Sequence, residues 1–246
     1  MEFTLHHVSE TASTMDLIKE LAVGSRSGSL IVLADSQTAG RGRIKGRNWS
    51  GSPGASLLFT IGLRDLDLAL PALPLRVGLA VARALRSRFP GLDIRLKWPN
   101  DLMVQNRKLG GILCETSGKW FFAGIGINLG RAAYPDQLSN MATSIDEALG
   151  CGDRGCFGSK AREESALLVG RAFIPLLAEE TWKECYERLM WALDEKVDFT
   201  AGHPLLGRHE EGIICGIADS GALLLKGKDG ETRSFTSGEI SGLRQT

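Results

Sequence analysis

Between residues 35 and 54 the sequence reads DSQTAGRGRIKGRNWSGSPG, which sets Arg41, Arg43, Lys45 and Arg47 among glycines with no acid after Asp35. Arginine forks bind carboxylate or phosphate through paired hydrogen bonds, and glycine lets the main chain approach a ligand closely. Taken alone, the segment also fits a solvated basic turn. Three further stretches carry compatible chemistry. KWPNDL (97–102) groups a lysine, a large aromatic, an amide and a carboxylate around a proline that fixes the turn. NRKLGGILCE (106–115) puts Lys108 ahead of paired glycines, and GIGINL (124–129) puts Asn128 beside glycines near a strand end. No helix start follows this Gly-x-Gly, so it lacks the context of a dinucleotide fingerprint.

The elements that must position these residues follow from apolar spacing. Residues 4–8, 30–35 and 55–63 read as strands, and STMDLIKELA (13–22) reads as a helix behind a Ser/Thr cap. A second helix is expected from Pro71 to Phe89, stopped by Pro90-Gly91. Strands follow at 93–98, 102–104, 108–116 and 120–130, with Gln105-Asn106 as a hairpin tip because Asn tolerates positive φ. Helical patterns return at 137–149 and 161–193, around the glycine-rich loop GCGDRGCFGS. After Asp194 short apolar runs alternate with Gly, Asp and Ser turn signals, the pattern of a small antiparallel β-barrel or sandwich. The expected division is therefore a mixed sheet-and-helix domain, 1–194, and a β domain, 195–246.

Composition narrows the class. The 246 residues are 43% hydrophobic and 24% charged, ordinary for a globular chain. Lys+Arg and Asp+Glu balance at 29 each, whereas a dedicated nucleic-acid binder carries a basic excess. No apolar run reaches the roughly 18 residues of a membrane span, and MEFTLHHVSE has neither the basic nor the apolar region of a secretory signal. The five cysteines (Cys114, Cys151, Cys156, Cys185 and Cys215) are scattered without a C-x-x-C pair. They read as reduced thiols of a cytoplasmic protein, neither a disulfide frame nor a metal site.

Together and in this order, ST (13–14), QTAGRGR (37–43), GRNW (46–49), KWPND, KLGGIL, GIGINL and the terminal GALLL…GEISGLR resemble the biotin protein ligases, the enzymes that attach biotin to carrier domains. The resemblance covers nearly the whole chain. It implies an α+β fold: a mixed β-sheet with flanking helices, like the class II synthetases, and a small C-terminal SH3-like β-barrel. It implies the short form, without the DNA-binding winged helix that some members carry. Two departures stand out. GRGRIKGRNW has one residue more between GRGR and GR than the family loop, which weakens the assignments of Lys45 and Arg47 relative to Arg41 and Arg43. Gly242 splits the terminal GEIS-LR.

The chemistry implied by the resemblance is activation of the biotin carboxylate by ATP, giving biotinyl-5′-AMP and pyrophosphate, then attack by a carrier lysine with loss of AMP. Arg41 and Arg43 would hold carboxylate and phosphates on a loop that closes over the ligand and excludes water. Lys108 would bridge the carboxylate and the α-phosphate. Trp49 would stack on adenine, and Asn100 and Asn128 would fix adenine or phosphate oxygens. Ser13, Thr14 and Gln37 would contact the ureido ring, with Gly40, Gly111, Ile112 and Gly124 closing the biotin site beside Arg41 and Lys108. Asp101 would orient and deprotonate the acceptor lysine, whose pKa is about 10.4 before perturbation. Mg²⁺ would arrive with ATP, no carboxylate cluster marking protein ligands. The acceptor would be a biotin carboxyl carrier protein, of acetyl-CoA carboxylase or a related carboxylase. No DNA or membrane partner is expected, and the resemblance admits a homodimer.

Three other readings compete. A lipoate–protein ligase or octanoyltransferase shares the fold and the lysine target, but lacks the GRGR loop with KWPND. A phosphate-contacting nucleic-acid arm would bind non-specifically and with strong salt dependence. A silent biotin- or adenylate-binding regulator would not turn over pyrophosphate.

Overall fold

The structure, a computed structural model, describes residues 2–44, 46, 48–49, 51–151, 158–203 and 206–243. Lys45, Arg47, Cys156, residues 152–157 of the glycine-rich loop and the last residues of GEISGLRQT from Arg244 onward lie outside the described residues.

The chain opens with β1 (Thr4–Thr11), α1 (Thr14–Gly24) and β2 (Ser29–Gln37), with β1 and β2 parallel. The short strands β3 (Gly40–Arg41) and β4 (Asn48–Trp49) pair as a hairpin. β5 (Ser56–Arg64), α2 (Leu73–Arg88), β6 (Arg95–Lys97), β7 (Asp101–Val104), β8 (Arg107–Ser117) and β9 (Trp120–Asn128) complete a seven-stranded sheet of order β1-β2-β5-β9-β8-β7-β6. Every pairing but the first is antiparallel. Gln105 and Asn106 take φ of 50° and 64° at the β7–β8 tip, as expected of a tight hairpin.

Strand alternation sorts the sheet into two faces. Ile31, Leu33, Leu57, Phe59, Ile61, Ala123, Ile125 and Ile127 join the main core with α2 and with α4 (Ser159–Leu176). On the opposite face Leu30, Val32, Trp120 and Phe122 pack against Met15, Ile18 and Ala22 of α1. α1 therefore covers one end of this face, and the functional cavity lies over the other.

The helical expectation at 137–149 is corrected. Only a 3-10 turn (Asp136–Leu138) and the single-turn α3 (Ile145–Ala148), capped by Ser144, are present. Between them residues 139–141 turn back on Leu138 and residues 142–144 run extended beside Lys108, whose N–H donates to Met141 O (2.7 Å) and whose carbonyl accepts from Thr143 N–H (2.9 Å). The single helix read at 161–193 is two. α4 ends at Leu176 with Pro175 in its last turn, where a missing N–H removes a hydrogen bond, and α5 (Trp182–Leu189) follows.

β10 (Lys196–Ala201), β11 (Arg208–Ile217), β12 (Leu223–Lys226), β13 (Thr232–Phe235) and β14 (Gly238–Leu243) form a five-stranded antiparallel sheet of order β13-β12-β11-β10-β14. Among the described residues β13 and β14 do not pair, so the expected barrel is an open sheet. Its apolar face continues the main core: Val197, Phe199, Ile214, Leu223 and Ile240 belong to one cluster with Trp98 and Leu96. Trp98 also donates from Nε1 to Gly221 O (2.9 Å), joining the KWPND turn to this sheet. Among the described residues no helix is long and apolar enough to cross a membrane.

Candidate functional site

The floor of the site is built from strand register. Gly126 of β9 sits opposite Gly111 of β8 and Leu58 of β5, and Gly124 sits opposite Leu113 and Thr60. All point away from the main core, and three of the six are glycines, so the sheet here presents bare backbone. Over it lies a cavity of about 460 Å³, within the usual size of small-ligand sites. It is lined by Ser13, Thr14, Gln37, Arg41, Arg43, Trp49, Asn100, Asp101, Lys108, Gly111, Ile112, Gly124 and Asn128. Of the residues singled out from sequence within the described set, Gly40 alone is not on this wall. It pairs with Trp49 in the β3–β4 hairpin, where a methyl would stand 2.6 Å from Trp49 O and 2.9 Å from Gln37 Nε2.

One end of the cavity is a chain of hydroxyls and amides. Thr60, fully buried, donates to Thr14 Oγ1 (2.8 Å), and Thr14 donates from Oγ1 (3.0 Å) and from its main-chain N–H (2.7 Å) to Gln37 Oε1. Two donors on one amide oxygen fix the Gln37 side chain, leaving its NH₂ as a directed donor. Ser13 stands at the N-cap of α1 but makes no side-chain capping bond.

The other end holds the charges. Lys108 Nζ donates to Asp101 Oδ1 at 2.6 Å, so the structure brings these two together. Arg41 turns toward α1 instead, donating from Nη1 and Nη2 to both carboxylate oxygens of Asp16 (2.6 and 2.7 Å). That hydrogen-bonded pairing holds the Asp16 carboxyl below the usual carboxylate range and raises Arg41. Glu115 lies 4.0 Å from Arg41 and pairs with Lys19. Arg43 donates from Nη2 to Gly238 O (2.9 Å), tying the basic loop to the C-terminal sheet, whose Glu239 also lines the cavity. Lys97 lies over the Trp191 ring, 5.0 Å from its centroid.

Both amides singled out from sequence serve the main chain in this structure. Asn100 donates to Ile112 O (3.1 Å) while its own carbonyl accepts from Ile112 N–H (2.9 Å). Asn128, buried, donates to Thr143 O (2.9 Å) and so holds the extended segment that walls the site beside Lys108. Tyr134, on the same wall, hydrogen-bonds Glu147, and burial followed by that bond pushes its hydroxyl up to about 12.

Sequence reasoning missed Asp16, Thr60, Tyr134 and Glu239 as neighbours of the site. Thr60 had a signal, being the one polar residue within LLFTIGL. Asp16 had none beyond its place in the first turn of α1. Among the described residues no group of three or more His, Cys, Asp or Glu side chains is placed to hold a metal ion.

The model of the biotin/lipoate A/B protein ligase family matches residues 8–130, and that of the biotin protein ligase C-terminal domain matches 205–242. The biotin–[acetyl-CoA-carboxylase] ligase of Mycobacterium tuberculosis is 31% identical over 96% of this chain and 88% of its own length. The bifunctional ligase/repressor BirA of Escherichia coli is 34% identical over 92% of this chain and 69% of its own. Among solved structures, the biotin protein ligase from Aquifex aeolicus in complex with biotin and ATP superposes with a TM-score of 0.79 at 30% identity, covering 98% of this chain and 99% of that one.

Proposed function

Since the chain belongs to the biotin protein ligase family, we propose that it activates biotin with ATP as biotinyl-5′-AMP and transfers it to a lysine of a biotin carboxyl carrier protein. The observation that carries this reading is the two-ended cavity: a fixed hydrogen-bonding end at Thr14 and Gln37, a cationic end at Lys108, and bare glycine backbone between them.

Each end suits one half of such a substrate. An uncharged ureido ring needs a few directed hydrogen bonds in an otherwise apolar pocket, and the Gln37 amide, oriented by Thr14, supplies one with Ser13 beside it. Carboxylate and α-phosphate are both anionic, so bringing them together needs cations aimed at the developing charge. Lys108 stands there, with Arg41 and Arg43 on the neighbouring loop, while Gly111, Ile112 and Gly124 shape the biotin wall and Gly40 acts behind it by pairing with Trp49. Trp49 faces the nucleotide. Asn100 and Asn128 act there chiefly by holding Ile112 and Thr143 in place. After adenylation Asp101 accepts the proton of the attacking lysine, oriented for this by its hydrogen bond from Lys108. Asp101 is already paired at 2.6 Å, so the donors present suit Mg²⁺ entering on the phosphates of ATP rather than a resident protein-held ion.

Residues 1–194 would form the catalytic unit and 195–246 a β unit that steadies the basic loop through Gly238 and Arg43. The acceptor is assigned to acetyl-CoA carboxylase or a related carboxylase, and the work to the cytoplasm, with no part for DNA or membrane. β1 is an edge of the large sheet, available to the homodimer the family resemblance admits, whereas the β6 edge is bridged at Leu96 by Met190. Sedimentation showing only monomer, with and without biotin and ATP, would remove that last element.

Exchange of labelled pyrophosphate into ATP, dependent on biotin, tests the activity. Wild type should exchange with biotin and not with lipoate. Lys108→Ala should lose exchange by 100-fold or more, about 2.7 kcal/mol of transition-state stabilisation, while biotin binding changes little. Exchange with lipoate alone would assign the chain to the sister activity, and no exchange despite biotin binding would leave a silent binder.

A further inference from the structure

We propose that Gly126 is a positioning residue for Trp49: its missing side chain is what lets the indole settle on the sheet as the nucleotide-facing wall of the cavity. The proposal rests on the reading of Trp49 as the residue that stacks on adenine.

Gly126 lies on the cavity face of β9, with Gly111 as its cross-strand neighbour. A methyl on Gly126 would stand 2.7, 2.9 and 3.0 Å from Cε2, Cζ2 and Cδ2 of Trp49, and these are its three nearest atoms. The clash is specific to this position. A methyl on Gly111 would be 3.5 Å from Cζ3 of the same ring, an ordinary contact. On Gly124 it would meet the mobile end of Met15 at 3.1 Å. The Gly-Ile-Gly of β9 thus has two separate causes, of which only the second concerns the indole.

The ring has little freedom to withdraw. Trp49 is paired through its main chain with Gly40, where there is no room for a side chain either. The indole Nε1 is buried without a hydrogen-bond partner. Orphaned buried donors are rare in folded proteins and carry a desolvation penalty. Displacing the ring would therefore misplace its stacking face and leave the biotin end untouched.

A double-mutant cycle tests this. The KM for ATP is measured by biotin-dependent pyrophosphate exchange, and the Kd for biotin by calorimetry without ATP, on wild type, Gly126→Ala, Trp49→Ala and the double variant. Gly126→Ala should raise the ATP KM about tenfold, the order of one lost base–aromatic stack, with the biotin Kd within about twofold. In the Trp49→Ala background the same substitution should change nothing further, since its obstacle is gone. Effects that multiply, or an unchanged ATP KM in Gly126→Ala, would overturn the proposal while leaving the role of Trp49 standing. An unchanged ATP KM in Trp49→Ala would remove that role and the proposal with it. Should Gly126→Ala alone fail to fold, recovery in the double variant supports the proposal and failure in both overturns it.

Discussion

Replacing Asp16 by asparagine asks what Arg41 does when an anion enters the cavity. The fork of Arg41 is held by Asp16 through two short hydrogen bonds. Both side chains are substantially exposed, 43% for Arg41 and 44% for Asp16, so solvent screens the pair. Its worth is about 0.5–1 kcal/mol even with bidentate geometry. To grip a carboxylate or phosphate with the same fork, Arg41 must leave Asp16, and wild-type affinity is reduced by that amount. Asp16→Asn removes the competing charge from the unbound protein and nothing from the bound one. Binding of a non-hydrolysable biotinyl-adenylate analogue should therefore tighten about two- to fivefold, while the unbound protein loses about 0.5–1 kcal/mol of stability. Calorimetric titration at low and high salt measures both the gain and its screening. The gain should shrink as the Debye length falls from about 10 Å at 0.1 M to about 3 Å at 1 M. Weaker binding by the asparagine variant would refute the reasoning. Arg41 would then serve the ligand through its remaining N–H groups while Asp16 holds it, and Asp16 would be its orienting partner.

Thr60→Val, which removes the buried hydroxyl feeding Thr14 and Gln37, should lower stability by about 1–3 kcal/mol and weaken biotin binding about fivefold with ATP affinity retained. Thermal denaturation and biotin titration check the two effects separately. His7 lies 2.7 Å from Asp35 through Nε2 and 2.7 Å from Glu163 through Nδ1, with Ser159 at 3.3 Å from Nδ1 and Arg162 Nη1 3.0 Å from the same Asp35 oxygen. Burial alone would lower its pKa, but the hydrogen bonds to Asp35 and Glu163 carry it above 6.5. Its folded value exceeds its unfolded one, so its contribution to stability is complete below about pH 6.5 and is lost as pH rises through the folded pKa. The stability advantage of wild type over His7→Gln in urea should shrink between pH 6 and pH 9, and an advantage that grows with pH would contradict this account.

The fold was legible where periodicity had one interpretation. The central strands and α2 read correctly because both faces of β5 are buried and Pro90-Gly91 ends the helix. The 137–149 pattern misled because the conformation of its middle is decided by Lys108, whose main chain it pairs with, and no local spacing records that partner. The same division runs through the site. Lys108 and Arg41 could be picked out by type, since cations set beside glycines are unusual company, whereas Gln37 came from the family resemblance. What each of them touches could not. Asp16 faces Arg41 only because α1 folds back over β2, and Arg43 meets a carbonyl 195 residues away in the second sheet. Gly126 shows the limit most clearly. Its sequence context proclaims a glycine, but the reason for it, an indole brought in by a separate hairpin, exists only once the strands are in register. A side chain that faces a ligand carries its chemistry in its own identity. The groups that aim it belong to distant segments, so their part is visible only in three dimensions.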